Sequence, residues 1–119
     1  MKYFLAIDIG ASSGRHILAH IENGKIITEE IYRFSNGPVA SKRGNNEDCL
    51  KWEHERLFRE ILNGLKKAGE MGKAPYSVGI DTWGVDYALL DENDKEIDGI
   101  YCYRDHRTDK TVPEVHSII

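Results

Sequence analysis

Three stretches of alternating apolar and polar residues follow one another at the N-terminus of this 119-residue chain. The pair Asn23-Gly24 lies between the second and third stretches, and Asn-Gly in such a setting is a strong signal for a two-residue hairpin turn. The pattern therefore predicts three consecutive antiparallel strands near residues 2–9, 15–22 and 25–34. In such a meander the first three strands pair with their neighbours in sequence. Elements later in the chain can then add strands to this sheet or pack on its faces.

The remainder of the chain predicts one helix and three further strands. Residues 53–69 carry apolar side chains at helical spacing and predict an amphipathic helix that ends at Gly69. The apolar positions are Leu57, Phe58, Ile61, Leu62, Leu65 and Ala68. Short strands are predicted at residues 76–83, 86–91 and 96–104. Residues 35–51 are polar and predict a surface loop, so the order β-β-β-α-β-β-β indicates an α/β fold with a helix packed on a mixed sheet.

Charge and hydropathy argue against several classes of protein. With 16 basic and 20 acidic residues the chain carries a net charge of -4, which disfavours binding to nucleic-acid phosphates or anionic membranes. No apolar run approaches the roughly 18 residues of a membrane span. Cys49 and Cys102 have no metal-ligand spacing and are predicted to be buried free thiols. We therefore expect a cytoplasmic protein, one domain or part of one, with no nucleic-acid or membrane partner.

The segment between the first two predicted strands combines glycines, hydroxyls and a guanidinium group. Its residues are Gly10, Ala11, Ser12, Ser13, Gly14 and Arg15. Glycines permit close backbone approach, successive amides form an anion-binding nest, and the serines and arginine add further donors. Neither the Walker A pattern nor the dinucleotide-binding glycine pattern is present. The segment predicts a polyphosphate site on a tight turn, and the alternative is an ordinary hairpin turn with a surface arginine.

An aspartate interrupts an apolar strand at two places in the sequence. Asp8 lies within the first predicted strand, and Asp81 lies within the strand that follows the helix. A buried carboxylate is costly unless it is paired or coordinates a cation, and Mg²⁺ carried by a nucleotide is a suitable partner, usually through water. Parallel strands would direct both carboxylates to one cleft at the carboxyl ends, where open α/β sheets bind ligands. For each aspartate alone, a structural hydrogen bond is the alternative.

Four segments resemble the N-terminal lobe of the FGGY carbohydrate kinases, in their order and roughly in their spacing. They are AIDIGASSGR, YRFSNGP, VGIDTWGVDYALLD and YCYRDHRT. The narrower motifs ASSGR and GIDTWGVD resemble the members that act on L-rhamnulose. The resemblance implies an actin-like, ribonuclease-H-like half-domain, with residues 1–119 as the N-terminal part of the first kinase domain.

The resemblance also implies roles for individual residues. The residues from Ala11 to Arg15 match the ATP-phosphate turn, with Ser13 and Arg15 near the transferred phosphoryl group. Asp8 matches the strand acid that supports Mg²⁺. ATP and Mg²⁺ are the implied cofactors.

A second group of residues matches the sugar side of the family's site. Gly84 matches a position that binds the ketose, and its neighbour Trp83 offers a face for stacking. Tyr103 matches the aromatic residue of an aromatic-x-Asp-x-Arg segment near the sugar pocket. Asp105 and Arg107 complete that segment, with a purely structural ion pair as the alternative for these two.

The implied activity is transfer of the γ-phosphoryl group of ATP to the primary hydroxyl of L-rhamnulose. The resemblance places the general base and the adenine pocket further along the chain, so no catalytic base is assigned within these residues. The isolated segment is therefore expected to be inactive and to self-associate. The alternatives are a kinase for a related ketose such as fuculose or xylulose, and a non-catalytic actin-like nucleotide-binding module.

Overall fold

The computed structural model describes every residue from Met1 to Ile119. The strands are β1 Tyr3–Ile9, β2 Ser13–Glu22, β3 Lys25–Ser35, β4 Val39–Lys42, β5 Asp48–Trp52, β6 Pro75–Thr82 and β7 Ile100–Tyr101. The helices are α1 His54–Glu70 and α2 Thr111–His116. The chain divides into a first unit, Met1–Gly37 with His54–Gly84, and a second unit, Pro38–Glu53 with Val85–Ile119. Neither helix has the length and apolar character that crossing a bilayer requires.

A four-stranded mixed sheet forms the first unit, in the order β3-β2-β1-β6. Strands β1, β2 and β3 are antiparallel neighbours, whereas β6 runs parallel to β1. Asn23 and Gly24 turn the β2-β3 hairpin with φ values of 50° and 75°, both positive as a type I′ turn requires. The predicted meander is confirmed, with β2 beginning at Ser13 rather than at residue 15.

Helix α1 packs on one face of this sheet and completes the core of the first unit. The buried apolar residues of this core are Leu5, Ile7, Ile9, Leu18, Phe34, Leu57 and Ala68. Phe58 and Leu62 were expected to reinforce the apolar stripe but are exposed, because each lies one position further round the helix than the buried stripe. The opposite face of the sheet, which carries Ala6 and Asp8 of β1, has no element of this unit packed on it. We call it the uncovered face.

A histidine occupies the interior of this core. The His16 ring is fully buried, and its Nε2 donates to the carbonyl oxygen of Ile61 at 3.3 Å. A Cβ on Gly64 would lie 2.0 Å from Cδ2 of this ring, so the absence of a side chain at that helical position makes room for the imidazole. The other ring nitrogen, Nδ1, is buried without a partner. Burial lowers the pKa of His16, because a charged ring would lose its hydration there.

The second unit contains a three-stranded antiparallel sheet in the order β4-β5-β7. Strands β4 and β5 lie largely within residues 35–51, so the predicted surface loop is wrong for these segments. Strand β5 buries Cys49 and Trp52 among polar neighbours, and so short an alternation is hard to recognise in a sequence rich in glycine and asparagine. Both cysteines are buried and free, as predicted.

Two other predicted strands of the second unit are absent or short. Residues 86–91 form no strand, and one bridge joins Leu90 to Glu96. Asp91 Oδ1 instead accepts hydrogen bonds from the amides of Asn93 and Lys95 and so closes a tight turn. The strand predicted at 96–104 shortens to the two residues of β7, and the short helix α2 follows where no helix was predicted.

Strand β6 forms one edge of the four-stranded sheet. Tyr76, Val78 and Ile80 of this strand are exposed. An exposed apolar edge strand is a template for pairing with another chain, so it supports the expected self-association of the isolated segment. That expectation stays a prediction.

Candidate functional site

The turn between β1 and β2 has its carbonyl groups held by the surrounding chain. The amide of Gly10 donates to the carbonyl of Ser13 at 2.9 Å. Asn36 donates from its amide to the carbonyl of Ser12 at 2.9 Å and from Nδ2 to the carbonyl of Gly10 at 2.8 Å. The amides of Ala11 and Ser12 donate to no acceptor within the chain. Two consecutive amides without an acceptor leave donors that suit an anion.

Side chains from α1 and β6 hydrogen-bond to residues that flank or support this turn. From α1, Arg56 donates through Nη2 to Asn36 Oδ1 at 3.0 Å and through Nη1 to the carbonyl of Ser35 at 3.2 Å. From β6, Thr82 Oγ1 donates to the carbonyl of Ile9 at 3.1 Å. No local sequence pattern predicts these hydrogen bonds, because their donors come from distant segments. The only local signal was that Asn36 precedes a glycine, which is typical of turns.

Four charged residues lie in one row across the uncovered face. In the strand order β6, β1, β2, β3 they are Asp81, Asp8, Arg15 and Arg33, each in register with the next. Arg15 Nε donates to Asp8 Oδ2 at 3.0 Å, and both side chains are 45% exposed. The expectation that Asp8 is buried is therefore wrong, because this position faces away from α1. The predicted placement of two aspartates on parallel strands is confirmed.

Arg33 adds a second guanidinium group, which no sequence motif indicated. It donates to Glu30 through Nε at 2.8 Å and through Nη2 at 2.6 Å, and its Nη1 lies 3.4 Å from Ser13 Oγ. The hydrogen bonds from Arg33 lower the pKa of the Glu30 carboxyl. Arg15 and Arg33 thus place two positive charges beside the turn, one held by Asp8 and the other by Glu30.

Gly14 has a packing role in addition to the phosphate role that was predicted for it. It is the register partner of Phe34, and a Cβ on Gly14 would lie 2.1 Å from Phe34 Cζ. The aromatic ring therefore fills the space above the glycine on the core side of the sheet. This contact requires glycine independently of any ligand, and the phosphate role of Gly14 stays a prediction.

The second unit contains a cavity of about 520 Å³. Its polar and aromatic lining includes Asp86, Asp98, Tyr101, Tyr103 and Arg107. This volume lies within the range of small-molecule sites, and aromatic faces beside a few charged groups suit a polar, hydroxylated ligand. The cavity is a candidate binding site within this unit.

Asp105 and Arg107 form an ion pair, which is the structural alternative for these two residues. The buried Asp105 accepts from the amide of Leu50 at 2.7 Å and from the amide of Arg107 at 2.9 Å, and Arg107 Nη1 lies 3.5 Å from Oδ1. Burial opposes ionisation of Asp105, but these hydrogen bonds outweigh it and lower its pKa. Arg107 also stacks over Tyr101 at 4.2 Å from the ring centroid. The pair therefore organises one wall of the cavity.

The three residues predicted to contact the sugar fall in different units. Trp83 and Gly84 follow β6 in the first unit, whereas Tyr103 lies in the second. Trp83 packs half-buried against the core of the first unit, and a Cβ on Gly84 would meet nothing within 4 Å. Tyr103 is exposed and lines the cavity. Their sugar-binding role stays a prediction.

Comparison with known families and curated proteins shows what the chain is similar to. Residues 3–118 match the N-terminal domain of the FGGY family of carbohydrate kinases. Proteins named rhamnulokinase are 49% identical in Oceanobacillus iheyensis, 50% in Halalkalibacterium halodurans and 44% in Bacillus subtilis. These alignments cover 97%, 97% and 94% of this chain. The chain spans only 23%, 23% and 22% of the lengths of these relatives.

Two solved structures share the fold. A xylulose kinase and a gluconate kinase from Lactobacillus acidophilus superpose with TM-scores of 0.70 and 0.71. Each superposition covers 98% of this chain, and 23% and 22% respectively of the solved chains. Sequence identity is 14% in both cases, so the likeness concerns the fold alone. It confirms the predicted actin-like, ribonuclease-H-like α/β class.

Proposed function

The chain belongs to the FGGY family of carbohydrate kinases, and on that premise we propose that it contributes the phosphate turn and part of the sugar site to an L-rhamnulose kinase. The reaction transfers the γ-phosphoryl group of ATP to the primary hydroxyl of L-rhamnulose, giving L-rhamnulose 1-phosphate and ADP. The name shared by relatives at 44%, 49% and 50% identity supports this choice of ketose. Because the chain spans about a quarter of those relatives, the activity is proposed for the full-length protein.

The turn between β1 and β2 is the observation that carries the proposal. Its amides at Ala11 and Ser12 have no acceptor within the chain, whereas hydrogen bonds from within the unit engage the neighbouring carbonyls. Arg15 engages Asp8 through Nε, which leaves both Nη groups for phosphate oxygens. Donors fixed in advance stabilise charge on a transferring phosphoryl group without reorganising during the reaction.

Asp8 and Asp81 fit a magnesium ion by the chemistry of their donors. Carboxylate oxygens are hard ligands, and Mg²⁺ in phosphoryl-transfer sites is typically bound by one or two carboxylates, with water and phosphate oxygens completing the shell. No group of three or more His, Cys, Asp or Glu side chains is arranged to hold a metal by itself. When bound beside the phosphates, Mg²⁺ supplies neutralisation of their negative charge.

The sugar-side residues are proposed to bind and orient the ketose. In the first unit, Gly84 leaves open space for a sugar to approach the backbone, and its neighbour Trp83 is proposed to offer a ring face. In the second unit, Tyr103 is proposed to offer a ring face at the cavity of that unit. Holding the hydroxyl and the phosphoryl group in line accounts for much of the catalysis in such reactions. Removal of the hydroxyl proton is assigned to no residue of this chain.

A coupled ADP-release assay on the full-length protein tests the proposal. L-rhamnulose, L-fuculose and D-xylulose are supplied in turn with ATP and Mg²⁺, and a reaction without ketose measures background hydrolysis. We expect the highest kcat/KM with L-rhamnulose. A preference for another ketose would reject the substrate and keep the kinase, whereas no ketose-dependent ADP release would support a non-catalytic nucleotide-binding module.

A further inference from the structure

We propose that Asp86 is a positioning residue that sets the aromatic wall of the cavity in the second unit. A single carboxylate oxygen of Asp86 holds both Trp52 and Tyr103. The inference rests on the proposed function, because Tyr103 is taken there to contact the ketose.

The geometry at Asp86 joins two aromatic residues from separate segments. Its Oδ2 accepts from the indole Nε1 of Trp52 at 2.6 Å and from the backbone amide of Tyr103 at 3.1 Å. The two rings lie with their centroids 6.4 Å apart and their planes at 42°. Trp52 is buried, whereas Tyr103 is exposed and lines the cavity together with Asp86. One acidic side chain thus ties an exposed ring to a buried one.

The backbone of Tyr103 depends on this hydrogen bond, because the sheet ends before it. Strand β7 stops at Tyr101, and the next amide, that of Cys102, still donates to the carbonyl of Leu50 at 2.9 Å. The amide after that belongs to Tyr103 and donates to Asp86 instead. The carboxylate therefore takes the place of a strand partner at the residue whose ring faces the cavity.

Two other aspartates that line the cavity are engaged elsewhere. Asp98 accepts from Tyr101 Oη at 2.5 Å and pairs with Lys51 Nζ at 3.0 Å. Asp105 accepts from the amides of Leu50 and Arg107, as described above. The hydrogen bond to the backbone at residue 103 is thus specific to Asp86.

Charge is required as well as shape at this position. An ionised carboxylate accepts two N–H groups through one oxygen more strongly than a neutral amide does, since hydrogen bonds to charged acceptors are the stronger kind. The neutral amide oxygen of an asparagine at this position would hold the buried indole N–H of Trp52 more weakly, so the surroundings of the Trp52 ring would change. Asp86→Asn keeps the side-chain size and removes the charge, which makes it the informative substitution.

The experiment uses the full-length protein labelled with 5-fluorotryptophan, in which Trp52→Phe identifies the Trp52 resonance by its loss. In the ligand-free protein, Asp86→Asn should shift that resonance. The same variant should raise KM for L-rhamnulose about tenfold and leave KM for ATP within about twofold. Trp52→Phe should raise KM for the ketose in the same direction but less, because the bond to Tyr103 remains. Asp109→Asn, which alters an exposed pair with His106, is the control and should change neither value.

Several results would overturn the inference. In Asp86→Asn, they are a Trp52 resonance that does not shift, a shifted resonance with an unchanged KM for the ketose, and equal rises in KM for the ketose and KM for ATP. If Asp86→Asn does not accumulate as folded protein, Trp52→Phe alone decides, since it removes one of the two donors and keeps a ring. A wild-type protein without ketose turnover would refute the proposed function, and the resonance would still test whether Asp86 holds Trp52.

Discussion

Asp8 of β1 and Asp81 of β6 are register partners on adjacent parallel strands, so two carboxylates lie side by side on the uncovered face. Arg15 engages Asp8 from the opposite side, with Nε 3.0 Å from Oδ2. Like charges on neighbouring strands repel each other, and a bound cation would relieve that repulsion.

Replacing either aspartate should change the magnesium dependence of the full-length enzyme. We expect Asp8→Asn and Asp81→Asn each to raise the Mg²⁺ concentration for half-maximal rate at least about threefold, since a neutral amide anchors a hydrated cation poorly. Asp81→Asn should also leave thermal stability unchanged or slightly higher, because it removes the like charge beside Asp8. A magnesium titration with Asp94→Asn as the control checks this. An unchanged midpoint would mean that these aspartates are structural.

Arg15→Ala should lower kcat at least about tenfold, because it removes a fixed positive charge beside the transferring group. The melting temperature should change little, since the Arg15–Asp8 pair is 45% exposed on both sides and exposed pairs contribute little to stability. Steady-state kinetics with Arg59→Ala, a change at an exposed residue of α1, provide the control. Normal kcat in Arg15→Ala would reject the phosphate-turn assignment.

Gly84→Val should raise KM for the ketose more than KM for ATP, because the side chain would fill space that the sugar is proposed to occupy. A Cβ at this position meets nothing within 4 Å, so the fold should tolerate the change. Gly44→Val, which also has open space around its Cβ, is the matched control and should alter neither KM. Equal increases in both KM values would indicate a general disturbance of the protein.

Gly64→Ala should destabilise the protein by about 1–3 kcal/mol, because overpacking a core costs that much. The new Cβ would lie 2.0 Å from the fully buried ring of His16, so the ring or the helix would have to shift. Gly69→Ala on the same helix is the contrasting variant, since its Cβ meets nothing and alanine favours helix. Thermal unfolding should therefore shift down for the first variant and up for the second. Melting temperatures that move in the same direction for both variants would contradict the packing of His16 against α1.

Stability should fall when the pH drops below about 6.5, because the folded state resists protonation of His16. Burial lowers the pKa of His16 below its ordinary value of 6.5, whereas the unfolded chain keeps that value. The stabilisation is therefore fully present above the unfolded pKa and is lost as the pH falls through it toward the folded pKa. Melting temperatures at about pH 7.5 and pH 5.5 check this. The difference in melting temperature between the two pH values should shrink in His16→Phe and persist in His116→Gln. A wild-type melting temperature that is the same at both pH values would contradict the expectation.

Local signals in the sequence determined the parts of this protein that depend on neighbours along the chain. Asn23 and Gly24 specified a type I′ turn, and alternation on either side specified the strands it joins. Helical spacing from Leu57 to Ala68 specified α1 and its buried stripe. The aspartates at 8 and 81 stood out because a carboxylate in an apolar strand is unusual.

Only the tertiary structure decided which distant groups meet. The supports of the phosphate turn come from Asn36, Arg56 and Thr82, and the wall of the cavity depends on Asp86. Each of these side chains is an ordinary polar residue in its own segment, so no periodicity marks it. The sequence pattern also placed Asp8 in a buried strand, whereas helix α1 covers one face of that strand and leaves open the face that carries Asp8. Hydrogen bonds and burial across the fold depend on where chain segments come together, and a local pattern carries no information on that.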